Sequence, residues 1–139
     1  MMPAKFADHL QARILTKRAD FLRAKAQGLK VPTQGFALQI VPEPTEAGLG
    51  LGVTCAKRSF GSAIAMNRAR RRLKEAWRLV LQQNPKLLPK SCKIVLVGRV
   101  AVLEMDFAHI VKDMEGALAK VPVLLTEVPK TGTNAAVKE

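Results

Sequence analysis

The chain has 139 residues, 48% of them hydrophobic and 24% charged, which suits one domain with a single core and excludes a chain disordered throughout. No apolar run approaches the roughly 20 residues of a membrane-spanning helix, and the N-terminus lacks the apolar segment of a secretory signal, so a soluble cytoplasmic protein with no membrane partner is expected. Lys and Arg number 23 against 11 Asp and Glu, a formal charge of +12 that calls for a polyanionic partner.

The excess is concentrated in residues 1–78, with 15 basic and 5 acidic side chains, against 8 and 6 in residues 79–139. In chain order, Thr16 to Gln27 is rich in helix formers and stopped by Gly28, predicting a short helix. Gly35 to Val41 reads as a strand ended by Pro42 and Pro44. Leu49 to Cys55 alternates strictly, and Gly50 and Gly52 suggest that another backbone or a ligand closely approaches one of its faces. From Ser62 to Asn84 there is neither glycine nor proline, so one long helix is expected, stopped by Pro85. Lys93 to Gly98 reads as a strand whose run Ile94 to Val97 is continuously apolar and rich in β-branched residues, as a strand buried on both faces should be. Asp106 reads as the N-cap of a helix to about Lys120, with Phe107, Ile110, Val111, Met114 and Leu118 on one stripe. Cys55 and Cys92 sit in apolar stretches without metal-ligand spacing, and buried reduced thiols are expected.

The segment Asn67 to Arg78 carries the most information. Met66, Ala69, Leu73, Ala76, Trp77 and Val80 fall on one side of a helical wheel, with Asn67, Arg71, Lys74 and Arg78 opposite. One face packs and the other is available to phosphate. Neighbours such as Arg70/Lys74 and Lys74/Arg78 repel one another, and a bound polyanion would relieve that cost. A merely solvated basic face is the plain alternative, but the preponderance of Arg over Lys favours bidentate phosphate contacts. Trp77 lies on the apolar face and is expected in the core.

Lys57-Arg58-Ser59-Phe60-Gly61-Ser62-Ala63-Ile64-Ala65-Met66-Asn67-Arg68-Ala69-Arg70-Arg71-Arg72-Leu73-Lys74-Glu75-Ala76-Trp77-Arg78 resembles the signature of the bacterial ribonuclease P protein family. The Asp20-Phe21 pair, the flanking strands and the Asp106-Phe107 helix start follow the same order, so the resemblance spans roughly residues 13–120. It implies an α/β two-layer sandwich, a small and mainly antiparallel sheet packed on helices, in the order αβββαβα with a left-handed crossover. A fourth, short strand is expected within residues 10–16 or 99–105. Residues 1–12 then read as an N-terminal extension, 13–121 as the domain and 122–139 as a largely disordered tail. Met66 departs from the family's first Arg of Arg-Asn-Arg, while Lys25 and Gln39 stand where many members carry aromatic residues.

The resemblance implies that the protein assists a catalytic RNA in removing the 5′ leader of precursor tRNA, and that the RNA holds the Mg²⁺ and performs the hydrolysis. No catalytic residue and no protein-bound cofactor is therefore expected. The residues agree, since His9 and His109 are far apart in sequence and the acids are scattered, with solvent or capping roles. Lys57, Arg58, Asn67, Arg68, Arg70, Arg71, Lys74 and Arg78 are the expected contacts to ribonuclease P RNA. Phe21, Phe36 and Lys25 are expected to line a separate cleft for the single-stranded leader, although Phe21 and Phe36 could equally be core residues. Another RNA-binding module, such as a ribosomal protein, would use the same helix without a leader cleft. An amphipathic helix on an anionic membrane is a third reading, weakened by the alanines of its apolar face.

Overall fold

The computed structural model describes residues 6–42, 48–89 and 91–127. In chain order they form β1 (Phe6–Ala7), β2 (Ala12–Ile14), α1 (Arg18–Gln27), β3 (Leu29–Pro32), β4 (Phe36–Pro42), β5 (Leu49–Cys55), α2 (Lys57–Phe60), α3 (Ala63–Gln83), β6 (Cys92–Gly98) and α4 (Phe107–Glu127). The expected αβββαβα order is present from α1 onward, preceded by a short antiparallel hairpin of β1 and β2.

The strands form one six-stranded sheet in the order β1-β2-β5-β6-β4-β3. It is mainly antiparallel, as expected, but not purely so: β1/β2, β3/β4 and β4/β6 are antiparallel, while β2 pairs with β5 and β5 with β6 in parallel. The β5/β6 pairing follows from the long connection through α2 and α3, which returns the chain to the starting edge of its strand. The short strand foreseen in residues 10–16 is β2, whereas Val100–Leu103 is a 3-10 turn. Residues 6–12, expected as an extension, belong to the sheet and its turn, with Leu10 and Ala12 buried.

Strand parity divides the core. Phe36, Leu38 and Ile40 of β4, Leu49 and Leu51 of β5, and Ile94 and Leu96 of β6 face α3 and α4. Val41 and Val95 face the other way, where they pack with Leu15 and Ala24. Strand β6 is thus buried on both faces, which is why its sequence does not alternate. Helix α3 contributes Ala69, Leu73, Ala76, Trp77, Val80 and Leu81 to the larger core. The Trp77 indole N–H donates to the Leu10 carbonyl at 2.8 Å, tying the N-terminal turn to α3.

Helix α4 starts at the expected place, where the Asp106 carbonyl accepts from the His109 and Ile110 amides. Ile110, Met114, Ala117, Leu118 and Val121 are buried along one stripe. The helix continues through Pro122 to Glu127, past the expected end near Lys120. A proline near a helix end removes a single ladder bond, and the buried stripe outweighs that loss. The expectation of a disordered tail falls from residue 128 onward outside the described residues. Cys55 and Cys92 are both buried and form no disulfide, as expected.

Candidate nucleic-acid interface

Two surfaces gather the expected site residues. The first is the basic face of α2 and α3. Gly61 closes α2 in the left-handed region at φ 80°, with its N–H on the Lys57 carbonyl, a conformation that disfavours any residue with a Cβ. The chain then enters α3 through Ser62, whose hydroxyl accepts from the Ala65 amide at 3.1 Å. Lys57, Arg58, Asn67, Arg68 and Arg71 are exposed, while Arg70, Lys74 and Arg78 are half-buried.

The arginines differ in how free they are. Arg68 and Arg71 make no hydrogen bond or ion pair with any described residue, whereas Arg70 donates to the Asn67 side-chain oxygen. Arg78 pairs with Glu75 one turn away and donates to Gln82 at 2.9 Å. The hydrogen bond from Arg78, more than its charge, holds the Glu75 carboxyl below the usual carboxylate range. Arg72 faces elsewhere: it donates to the Met105 carbonyl and lies 5.9 Å from the Phe107 ring centroid, so it braces α3 against the start of α4. Met66 is half-buried against the main core, and its carbonyl is 3.9 Å from the Cys55 sulfur. It packs, and leaves no empty place at the position of the family's first Arg.

The second surface is a cleft of about 260 Å³ between α1 and the sheet, lined by Phe21, Leu22, Lys25, Gln39, Thr54, Cys55, Ala56, Val95 and Val97. Helix α1 is held there by a half-buried ion pair, Asp20 to Lys93 at 2.8 Å. Lys30 donates to the carbonyls of Lys25 and Gly28, placing a cation at the negative end of α1. Gly52 is the close approach the sequence suggested: a Cβ there would lie 2.7 Å from the Phe21 ring. A side chain, rather than a backbone or a ligand, makes that approach. Gly52 lets the Phe21 ring pack closely against β5, while Leu22, 51% exposed, stands at the rim. Burial pushes the Cys55 thiol up, with Arg70 and a hydrogen bond from Gly98 acting weakly against it, so it stays protonated at neutral pH.

Of the residues expected in the cleft, Phe21 and Lys25 line it and Phe36 does not. Phe36 is fully buried on the α3 side of the sheet, because it shares strand parity with Leu38 and Ile40. The residue of β4 that does reach the cleft is Gln39, and Thr54, Val95 and Val97 complete the lining. Their alternation with core residues was the available signal, but which parity faces α1 is set only by the packing.

The two surfaces adjoin. Cys55 and Ala56 end the cleft, and Lys57 and Arg58 are the next residues in the chain. Among the described residues no three His, Cys, Asp or Glu side chains group as metal ligands would. His109 lies on the surface of α4, 3.7 Å from Asp113. No helix of the described residues is long and apolar enough to cross a membrane.

Comparison with known proteins bears on the family and the fold. A family model described as Ribonuclease P matches residues 10–122. The ribonuclease P protein component of Gluconacetobacter diazotrophicus is 36% identical over 113 residues, covering 81% of this chain and 94% of that protein. That of Paramagnetospirillum magneticum is 35% identical over 127 residues, covering 86% and 92%. In fold, the chain is similar to the RNase P protein of Staphylococcus aureus, with a TM-score of 0.60 at 23% identity over 78% of this chain and 95% of that one. The RNase P protein of Thermotoga maritima gives 0.58 at 22% identity over 78% and 97%. With sequence, fold and basic helix in agreement, this chain belongs to the ribonuclease P protein family, the protein component of an endoribonuclease whose catalysis is carried by RNA.

Proposed function

We propose that the α2/α3 basic face binds ribonuclease P RNA and that the α1 cleft receives the single-stranded 5′ leader of precursor tRNA. The observation that supports this most is the meeting of the two surfaces at Ala56 and Lys57. A substrate strand leaving the RNA-bound face enters the cleft without crossing the molecule. Exposed Arg68 and Arg71 neutralise phosphates of the RNA partner, displacing counterions. Phe21 offers a face for a base, and Lys25 at the rim offers charge for the strand's phosphates. Mg²⁺ belongs to the RNA in this reading, and the place of work is the cytoplasm, where precursor tRNA is made.

Substitution of Phe21 tests the cleft. Phe21→Ala is expected to weaken binding of long-leader precursor tRNA to the holoenzyme by about 1–3 kcal/mol, the usual worth of one base–aromatic stack. Affinity for a leaderless substrate and for the RNA partner should not change. Equal losses with and without a leader would remove the cleft from substrate binding.

A further inference from the structure

Ile64 is the most exposed large apolar side chain among the described residues, at 80%, where Leu22, Val100 and Val123 reach 51%, 44% and 55%. It lies in the first turn of α3, and with Asn67, Arg68 and Arg71 it recurs at i, i+3, i+4 and i+7, the spacing of one ridge on a helix. All four residues are exposed. The core contacts of α3 fall on the opposite side, at Ala69, Leu73, Ala76 and Val80. Along the chain Ile64 stands between two sets of cations, the exposed Lys57 and Arg58 of α2 before it and the arginines of the ridge after it. An isoleucine is a poorer helix former than alanine, and at this exposure it gains little from burial within the protein. The turn that carries it is fixed, with the Ser62 hydroxyl accepting from the Ala65 amide and the Ser62 carbonyl accepting from the Met66 amide.

We propose that Ile64 is an apolar anchor of the RNA interface, set against the face of one unstacked base of ribonuclease P RNA. The inference rests on the assignment of the α2/α3 face to that RNA and adds a contact that charge alone does not supply. A partner lying along Arg68 and Arg71 must also cover Ile64, because the three share a ridge. A phosphate is the wrong group for that point, since an apolar side chain strips its water and returns no hydrogen bond. The apolar surface that RNA has to offer is the flat face of a base, and within a helix that face is covered by its neighbours. An unpaired base in a loop or bulge exposes it, and aliphatic side chains serve as wedges against base faces. The β-branched side chain has one strongly favoured rotamer in a helix, so little freedom is lost when it docks. Arg68 and Arg71 attract any polyanion, whereas Ile64 makes the fit depend on a base presented at one place.

The experiment measures binding of the full chain to ribonuclease P RNA and to a plain RNA duplex, each at several salt concentrations. Ile64→Ala should bind ribonuclease P RNA about five- to tenfold more weakly, the scale of losing part of an isoleucine's burial. Its logarithmic salt slope should not change, because no charge is removed, and its affinity for the duplex should change by less than about twofold. Thermal stability should hold or rise, since alanine is the better helix former, so misfolding does not account for the loss. Ile64→Val should keep most of the affinity. Ile64→Lys gives the sharpest contrast: beside a phosphate it would tighten binding and steepen the salt slope, whereas at an apolar anchor it weakens binding to ribonuclease P RNA despite the added charge. Unchanged affinity in Ile64→Ala overturns the proposal, as do equal losses on both RNAs or tighter binding by Ile64→Lys. Sedimentation in which Ile64→Ala loses self-association but keeps its RNA affinity also overturns it, and gives the side chain to a second copy of the chain. If Arg68→Ala/Arg71→Ala binds ribonuclease P RNA as wild type does, the assignment of the face falls, and this inference falls with it.

Discussion

Trp77→Ala is expected to destabilise the protein by about 3–5 kcal/mol, the usual cost of truncating a large core aromatic. Trp77 is the largest fully buried side chain, and its removal opens a cavity between α3 and the sheet. It also takes away the donor to the Leu10 carbonyl, which holds the N-terminal turn on α3. Small domains are stable by only about 5–15 kcal/mol, so the loss is a large share of the total. Trp77→Phe keeps much of the volume but leaves the Leu10 carbonyl without its partner, and should cost about 1–3 kcal/mol. Urea unfolding of the three proteins checks both numbers. If Trp77→Ala lost less than about 1 kcal/mol, the indole could not be the centre of the core.

Removing Arg68 and Arg71 together should have the largest effect on RNA binding. Neither side chain is engaged within the described part of the protein, and each can give a charge-assisted contact worth about 1.5–3 kcal/mol. The double variant Arg68→Ala/Arg71→Ala is therefore expected to bind ribonuclease P RNA about 3–6 kcal/mol more weakly, if the two contacts are independent. Its logarithmic salt slope should be shallower by somewhat under two units. Thermal stability should hold or rise, because the substitutions relieve like-charge repulsion along the helix. Arg72→Ala is the contrast, since it loses the Met105 carbonyl and the Phe107 ring, and its cost should fall on stability. Were Arg72→Ala to lose RNA affinity at full stability while the double variant kept it, the RNA-binding face of α3 would be placed wrongly.

The long elements were legible because each carries a period or a punctuation of its own. Strand β5 alternates from Leu49 to Cys55, β6 is a continuous apolar run between polar flanks, and α3 has an apolar stripe bounded by Ser62 and Asn84. Strands β1, β2 and β3 have two, three and four residues, too few to show a period. They exist because β2 and β3 find the open edges of β5 and β4 and β1 in turn pairs with β2, which is information from the rest of the fold. The parallel pairing of β5 with β6 is the exception, since the crossover implied by the family resemblance already requires it.

The basic face of α3 was readable from charge spacing alone, but the division of labour within it was not. Arg72 looks like its neighbours in sequence, and only the approach of the Phe107 segment turns it into a brace. In the cleft, Phe21 followed from the family pattern and Phe36 did not survive, because a one-residue difference in strand parity exchanges one face of a sheet for the other. The same parity brings Gln39 to the floor.

Reconstitution tests the central assignment most directly. The protein, free of nucleic acid, is combined with ribonuclease P RNA and a precursor tRNA with a long leader, and cleavage is followed as Mg²⁺ is lowered. The predicted result is no cleavage by the protein alone, slow cleavage by the RNA alone at low Mg²⁺, and a marked gain when both are present that the Arg68→Ala/Arg71→Ala variant fails to give. Cleavage by the RNA-free protein, or RNA-catalysed cleavage that the protein leaves unchanged at every Mg²⁺ concentration, would contradict it.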